Sequence, residues 1–449
     1  MKPLLQDVLA RAGRYIDERG ERHVGARAEA VDALVQFRHP LPERGVDAAT
    51  VIAQLDDLGS AATVCVTGPR YFGFVTGGTL PAALAANWLS TVWDQNAAMH
   101  IMSPVASVLE EVALEWMREA LGLPCGSIGT FVTGATMANF VGLAAARHAL
   151  LDAVGWDVER QGLFGAPEIT VIVSEEAHVA LYKALAMLGM GRDRVVKVAT
   201  DGQGRMRADA LPQFEGPTIL CLQAGNVNTG GFDPAAEIIG HVKGRAWVHV
   251  DGAFGLWAMA APSLQHLAKG YELADSWATD GHKWLNVSYD CGIAFVRDPA
   301  PLKDAMSAPA PYLTPSPHRD GMNWGPESSR RARGTEAWAA LLSLGRTGLV
   351  EMIERCVSHA GRFAEQLSAA GFEVLNEVVL NQVMVSFGSD ERTRAVIQRV
   401  QQQGTCWCGG TIWHGRAAMR ISVSSWATTE SDVDRSVQAI LAAAATSIY

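Results

Sequence analysis

The chain has 449 residues, of which 49% are hydrophobic and only 19% charged, with a formal net charge of −10. This is too long for one small binding module, leaves room for about three domains, and supplies enough apolar material for a large core. The 37 Lys and Arg are scattered, which excludes a basic footprint for nucleic acid or an anionic membrane surface.

Residues 1–20 mix charged side chains with Leu4, Leu5, Val8 and Leu9, a pattern that predicts an amphipathic helix and not a secretion signal. An N-terminal helical arm is expected over 1–60. The run 71–81, YFGFVTGGTLP, is too rich in glycine for a central strand and reads as a shaped loop. Ser103 before Pro104 predicts a helix start, with the helix running to Leu121. The middle third alternates β-branched runs at 169–173, 194–198, 217–222 and 247–250 with helical patterns such as 177–188. That alternation predicts an α/β fold with a mostly parallel, helix-covered sheet. A proline-rich stretch over 299–326 punctuates the chain and suggests a large domain over 61–310. A loop and a small α+β domain are expected over 311–449, with a helix at 336–370, strands at 374–375, 382–387 and 419–423, and a helix at 393–403. No run approaches the roughly 18 uncharged apolar residues of a membrane span. Seven dispersed cysteines read as the reduced thiols of a cytoplasmic protein. Cys406, Cys408 and His414 lack a fourth ligand nearby, so no metal is assigned.

Four features carry chemistry. The turn 133–139, ThrGlyAlaThrMetAlaAsn, opens an apolar helix whose free backbone N–H groups could cradle a phosphate. Asp251, in HisValAspGlyAla, ends a buried strand, where open α/β sheets bind ligands. Lys283, in GlyHisLysTrp, sits in apolar sequence where a desolvated amine becomes a nucleophile toward carbonyl groups. His178 follows the strand at 169–173 and falls at the same sheet edge. Each alone has a bland reading as a cap, turn residue or surface group. Together, in this chain order, they meet the needs of pyridoxal phosphate: a lysine for a Schiff base, a carboxylate that keeps the ring nitrogen protonated, and a flat imidazole over the ring.

At this point the sequence resembles the group II pyridoxal-phosphate-dependent decarboxylases, the aromatic-amino-acid, histidine and glutamate decarboxylases of the aspartate-aminotransferase fold. The resemblance runs nearly end to end, through TyrPheGlyPhe at 71–74, Ser103-Pro104, the 133–139 turn, GluAlaHis at 176–178, HisValAspGlyAla at 249–253, HisLysTrp at 282–284 and Arg333-Gly334. It implies a large domain with a mostly parallel seven-stranded sheet. It assigns Lys283 to the Schiff base, Asp251 to the ring nitrogen and His178 to the ring face. Ala135, Thr136 and His282 would hold the phosphate, with Ala253 beside the cofactor and Asn228 a candidate for its phenolic side. Phe74, Thr79 and Tyr312 would face the substrate, and Tyr312 would protonate the carbanion left by carbon dioxide. Two departures stand out: Asp280 replaces an asparagine found in many members, and the run 225–230 is less threonine-rich.

The expected activity is decarboxylation of an aromatic or bulky L-amino acid by a homodimer that shares its active sites. The alternatives are an aminotransferase, aldolase or other lyase with the same cofactor, because fold and cofactor do not fix the reaction. Arg420 would be the carboxylate-gripping residue of an aminotransferase. A non-catalytic binding protein of this fold is the remaining class.

Overall fold

The larger sheet is built from short strands that, apart from the edge strand Val196–Val198, are buried along nearly their whole length, as strands covered on both faces must be. The protein is described here as a computed structural model covering residues 1–242, 244–308 and 317–446. The seven strands are β1 (Ile128–Val132), β2 (Thr170–Ser174), β3 (Val196–Val198), β4 (Thr218–Gln223), β5 (Trp247–Asp251), β6 (Ser276–Asp280) and β7 (Gly292–Val296), in the spatial order β1-β7-β6-β5-β4-β2-β3. All pairings are parallel except the two made by β7. This is the mostly parallel, seven-stranded α/β sheet that the alternation and the resemblance lead one to expect.

The Ala135–Asp152 helix follows β1 directly and is buried at ten positions, most of them Ala, Val, Leu or Gly. Small residues let it lie close against the sheet, and its apolar side joins Val132, Ala278, Ala294 and Val296 in one core cluster. The Pro104–Ala120 helix starts as the sequence predicts: Pro104 occupies the first turn and Ser103 Oγ accepts from Ala106 N at 3.3 Å. Glu110, on its buried side, accepts from Arg330 Nη2 at 2.9 Å and Arg319 Nη2 at 3.3 Å. Both arginines also donate to strand carbonyls, at Phe131 (3.0 Å) and Gly129 (2.6 Å), which ties this helix to β1.

The chain divides into two compact units: Thr79–Val357 with Asn376–Gln382, which holds the seven-stranded sheet, and Met1–Gly78 with Ser358–Leu375 and Val383–Tyr449. The second unit contains the N-terminal helix Lys2–Glu18 and the helices Asp390–Gln403 and Glu430–Ala445. The smaller sheet has the order Tyr71–Phe72, Trp407–Trp413, Arg416–Ser422, Gln382–Ser386, Glu373–Val374. Two of the predicted segments differ in detail. The 71–81 run contributes a two-residue strand, paired in parallel with Trp407–Cys408. The long helix, Gly334–Ala369, is broken at Gly345, whose φ of 59° is a left-handed conformation that glycine adopts without a Cβ penalty.

No helix among the described residues is long and apolar enough to cross a membrane. Among the same residues, no group of three or more His, Cys, Asp or Glu could hold a metal ion.

Candidate active site

Register sets the geometry of the site. Gln223 pairs with Asp251, Asp251 with Ala278, Asp280 with Gly292, and Gly292 with Val132. The carboxyl ends of β1, β4, β5 and β6 therefore line one edge of the sheet, the edge at which open α/β sheets take ligands. Residues that end or follow those strands, Ala135, Asn228, Asp251, Ala253, Asp280 and Lys283, are gathered there by topology.

Lys283 Nζ lies 3.0 Å from Asp280 Oδ2, in a pair whose carboxylate side chain is 3% exposed. The other oxygen, Asp280 Oδ1, accepts from Ala135 N at 2.6 Å, so the carboxylate caps the first turn of the Ala135–Asp152 helix. His282 lies beside it, with Nε2 3.6 Å from Asp280 Oδ1. Its Nδ1 accepts from Cys291 N at 3.2 Å, and its ring stacks on Tyr289 at 4.3 Å between centroids. Burial pushes the His282 imidazole pKa down, which favours a neutral ring with its proton on Nε2. Asp280 is thus the hub of this corner: a helix N-terminus, an ammonium and an imidazole converge on one carboxylate.

Asp251, 5% exposed, accepts from Asn139 Nδ2 at 3.1 Å through Oδ2 and from Ala253 N at 3.3 Å through Oδ1. Ala253 in turn accepts from Asp280 N through its carbonyl at 2.9 Å, which links the two corners. His178 caps the Val179–Met187 helix, its Nδ1 accepting from Ala180 N at 3.2 Å, and that bond fixes the ring's orientation. In the 225–230 loop the organiser is Asn226, whose Oδ1 accepts from Asn228 N at 2.9 Å and Thr229 N at 3.2 Å.

Thr79 precedes Leu80, whose N–H donates to the Asn286 carbonyl at 2.8 Å, so it is tied to the segment that carries Lys283. Phe74 belongs to the other unit, where it is 64% exposed and packs on Trp407 at 5.5 Å, with Tyr71 stacked on the same indole at 5.2 Å. Arg420, also in that unit, is half-buried, and its partial burial lowers its guanidinium pKa. Tyr312 lies outside the described residues.

The donor set suits pyridoxal phosphate. A long helix begins at Ala135 with Thr136 next to it, His282 and Lys283 stand at its N-terminus, and a carboxylate fed by neutral donors stands one strand away. The corner is tightly built: a Cβ on Gly292 would meet Gly134 Cα at 2.4 Å, so strand and turn touch backbone to backbone.

The profile of the pyridoxal-dependent decarboxylase conserved domain matches residues 41–388. The chain belongs to the pyridoxal-dependent decarboxylase family. Acidic amino acid decarboxylase GADL1 of Xenopus tropicalis is 31% identical over 331 residues, 70% of this chain and 64% of the relative, so the match spans under two thirds of that protein's own length. Tryptophan decarboxylase 1 of Oryza sativa subsp. japonica is 27% identical over 402 residues, covering 80% of this chain and 76% of that protein. The crystal structure of Oryza sativa TDC with PLP and tryptamine superposes with a TM-score of 0.90 at 22% identity, covering 99% of this chain and 97% of that one. The family's fold is thus present over the whole described chain.

Sequence reasoning missed the residues behind Asp251. Asn139, His249 and Ser276 are buried and hydrogen-bonded in series. The available signal was the HisValAsp spacing, since residues two apart in a strand share a face.

Proposed function

We propose that the chain is a pyridoxal-phosphate-dependent carboxy-lyase that releases carbon dioxide from an L-amino acid, with an aromatic or bulky amino acid as substrate. The observation that carries this reading is the Lys283 ammonium held 3.0 Å from Asp280 at the start of the Ala135–Asp152 helix, on the same sheet edge as the buried Asp251. When bound, pyridoxal phosphate supplies an electron-accepting ring to the carbon that loses carbon dioxide. The protein's own residues do the rest. Lys283 provides the amine for covalent attachment, and Asp280 holds that amine in place until it reacts. Asp251 keeps a proton on the ring nitrogen. Ala135, Thr136 and His282 would hold the phosphate, and the ring of His178 would pack against the cofactor's ring. Tyr312 or Lys283 delivers the proton that replaces carbon dioxide. An aromatic substrate is supported by the tryptophan decarboxylase match over 80% of the chain. An acidic substrate is the second reading, because the 31% identical relative is an acidic amino acid decarboxylase.

The test is a panel of aromatic, acidic and basic L-amino acids assayed for carbon dioxide and amine, with wild type and Tyr312→Phe. The expected result is stoichiometric amine and carbon dioxide from an aromatic member, with the variant diverted or slowed. Keto acids, or aldehydes formed without carbon dioxide, from wild type would refute decarboxylation. Borohydride trapping should place a pyridoxyl label on Lys283.

The working form is proposed to be a homodimer. Leu89, Val92, Trp93, Ile101, Met102 and Val105 are exposed at 42–82% on neighbouring stretches of the sheet-bearing unit. That concentration of large apolar side chains suits a second copy of the chain. Sedimentation should give a dimer, and a fully active monomer would refute it. Seven free cysteines support a reducing, cytoplasmic location.

A further inference from the structure

Asp251 is fed by a hydrogen-bonded series that has one consistent direction. Trp247, His249 and Asp251 alternate along β5 and so share a face, and register places His249 opposite Ser276 of β6. The Ala135–Asp152 helix covers that face and inserts Asn139. Gly142 makes room: a Cβ there would meet His249 Cε1 at 2.7 Å and Nδ1 at 2.8 Å.

The two ends of the series cannot reverse, because an indole N–H only donates and an ionised carboxylate only accepts. From the carboxylate end, Asn139 must turn Nδ2 to Asp251 (3.1 Å), which leaves its Oδ1 facing His249 Nε2 at 2.8 Å. Nε2 therefore carries the imidazole proton. His249 Nδ1 then accepts from the Ser276 hydroxyl at 2.8 Å, and Ser276 Oγ accepts from Trp247 Nε1 at 2.9 Å. Full burial holds the ring neutral, its pKa pushed down to about 3. A flipped Asn139 amide would set donor against donor at His249 and acceptor against acceptor at Asp251, so His249 locks the amide.

We propose that Asn139, locked by His249, is the positioning residue that keeps Asp251 ionised and thereby keeps the proton on the cofactor's ring nitrogen. The proposal rests on the reading of Asp251 given above and deepens it. In a dry pocket a carboxylate and a pyridinium can relax to a neutral pair by returning the proton to oxygen, and donors to the carboxylate oppose this. Asn139 and the Ala253 N–H are the donors to Asp251 among the described residues. The series brings no cation to Asp251, so its charge remains available to the ring.

The test uses the full chain loaded with cofactor labelled with nitrogen-15 in the ring. In wild type the ring nitrogen should resonate in the protonated range. In Asn139→Leu it should move toward the unprotonated range, and kcat should fall about ten- to a hundredfold with KM changed by no more than about twofold. A purely structural role would not move the resonance. In the cofactor-free wild-type chain, long-range proton–nitrogen correlation should find His249 as the Nε2–H tautomer, a reading that needs no variant to fold. The Nδ1–H tautomer or an imidazolium overturns the proposal. So does an unchanged ring-nitrogen shift in Asn139→Leu when Lys283 takes the borohydride label. Absence of the label in wild type removes the underlying reading of Lys283 and this inference with it.

Discussion

Replacing Gly292 with alanine tests how the cofactor corner is built. An added Cβ would lie 2.4 Å from Gly134 C, 2.4 Å from Gly134 Cα and 2.7 Å from Gly134 N. Carbon atoms rest about 3.5–4.0 Å apart, so something must retreat by roughly 1 Å. Strand β7 cannot, because Gly292 is paired to Val132 on one side and Asp280 on the other. The movable part is the turn at Gly134, which presents the Ala135 N–H. Overpacking of this kind costs about 1–3 kcal/mol. If the cost falls on the turn geometry that binds the phosphate, the dissociation constant for pyridoxal phosphate rises about 5- to 150-fold. Fluorescence titration of the cofactor-free chain measures this, alongside its thermal midpoint. Gly361→Ala is the internal control: its Cβ meets nothing within 4 Å, so helix propensity alone should make it neutral or stabilising by about 0.5–1 kcal/mol. Wild-type affinity and midpoint in Gly292→Ala would show that the turn is not held by this contact.

Asp280→Asn keeps an acceptor for the Ala135 N–H but removes a negative charge from the phosphate corner. Pyridoxal phosphate should bind about fivefold tighter, from roughly 1 kcal/mol of relieved repulsion, and weaker binding in titration would count against a phosphate at that helix start. Glu110→Gln leaves the Arg330 and Arg319 guanidiniums, 1% and 8% exposed, facing a neutral amide. Denaturant unfolding should register a loss of about 3–5 kcal/mol, whereas a loss below about 1 kcal/mol would show the cluster to be dispensable. Asp233, buried while accepting from Met206 N and Gln223 N, has its carboxyl pKa pushed up to about 6 by burial. A raised carboxyl pKa contributes stability at acid pH that is lost as pH climbs through the folded value. Relative to Asp233→Asn, wild type should therefore lose about 1 kcal/mol between pH 5 and pH 7, and a difference that stays flat across that window contradicts the assignment.

Much of this architecture can be read from the chain. Strands β2, β4 and β5 follow the predicted β-branched and apolar runs, and Asp251 is placed by where the last of them stops; Lys283 lies three residues past β6, whose Ser276 and Asp280 break the apolar pattern. The reading gives no strand at Ile128–Val132, Gly292–Val296 or Trp407–Trp413, because each carries glycine. At Gly292 that glycine is required by a turn 158 residues earlier, at Gly134, a demand no local window contains. The break at Gly345 is hidden for a related reason, since a glycine inside a helical pattern does not announce its φ. Asn139 and His249 are 110 positions apart, so their partnership exists only once the Ala135–Asp152 helix has docked on the sheet.

The reversed direction of β7 has a consequence for the nucleophile. Parallel neighbours need a long crossover, but an antiparallel neighbour can be reached by a short return. Here eleven residues, 281–291, suffice to join β6 to β7. The reactive amine thus rides on a tethered arch with both feet planted in the same rung of one ladder, Asp280 opposite Gly292, and its reach is set by backbone pairing before any ligand arrives.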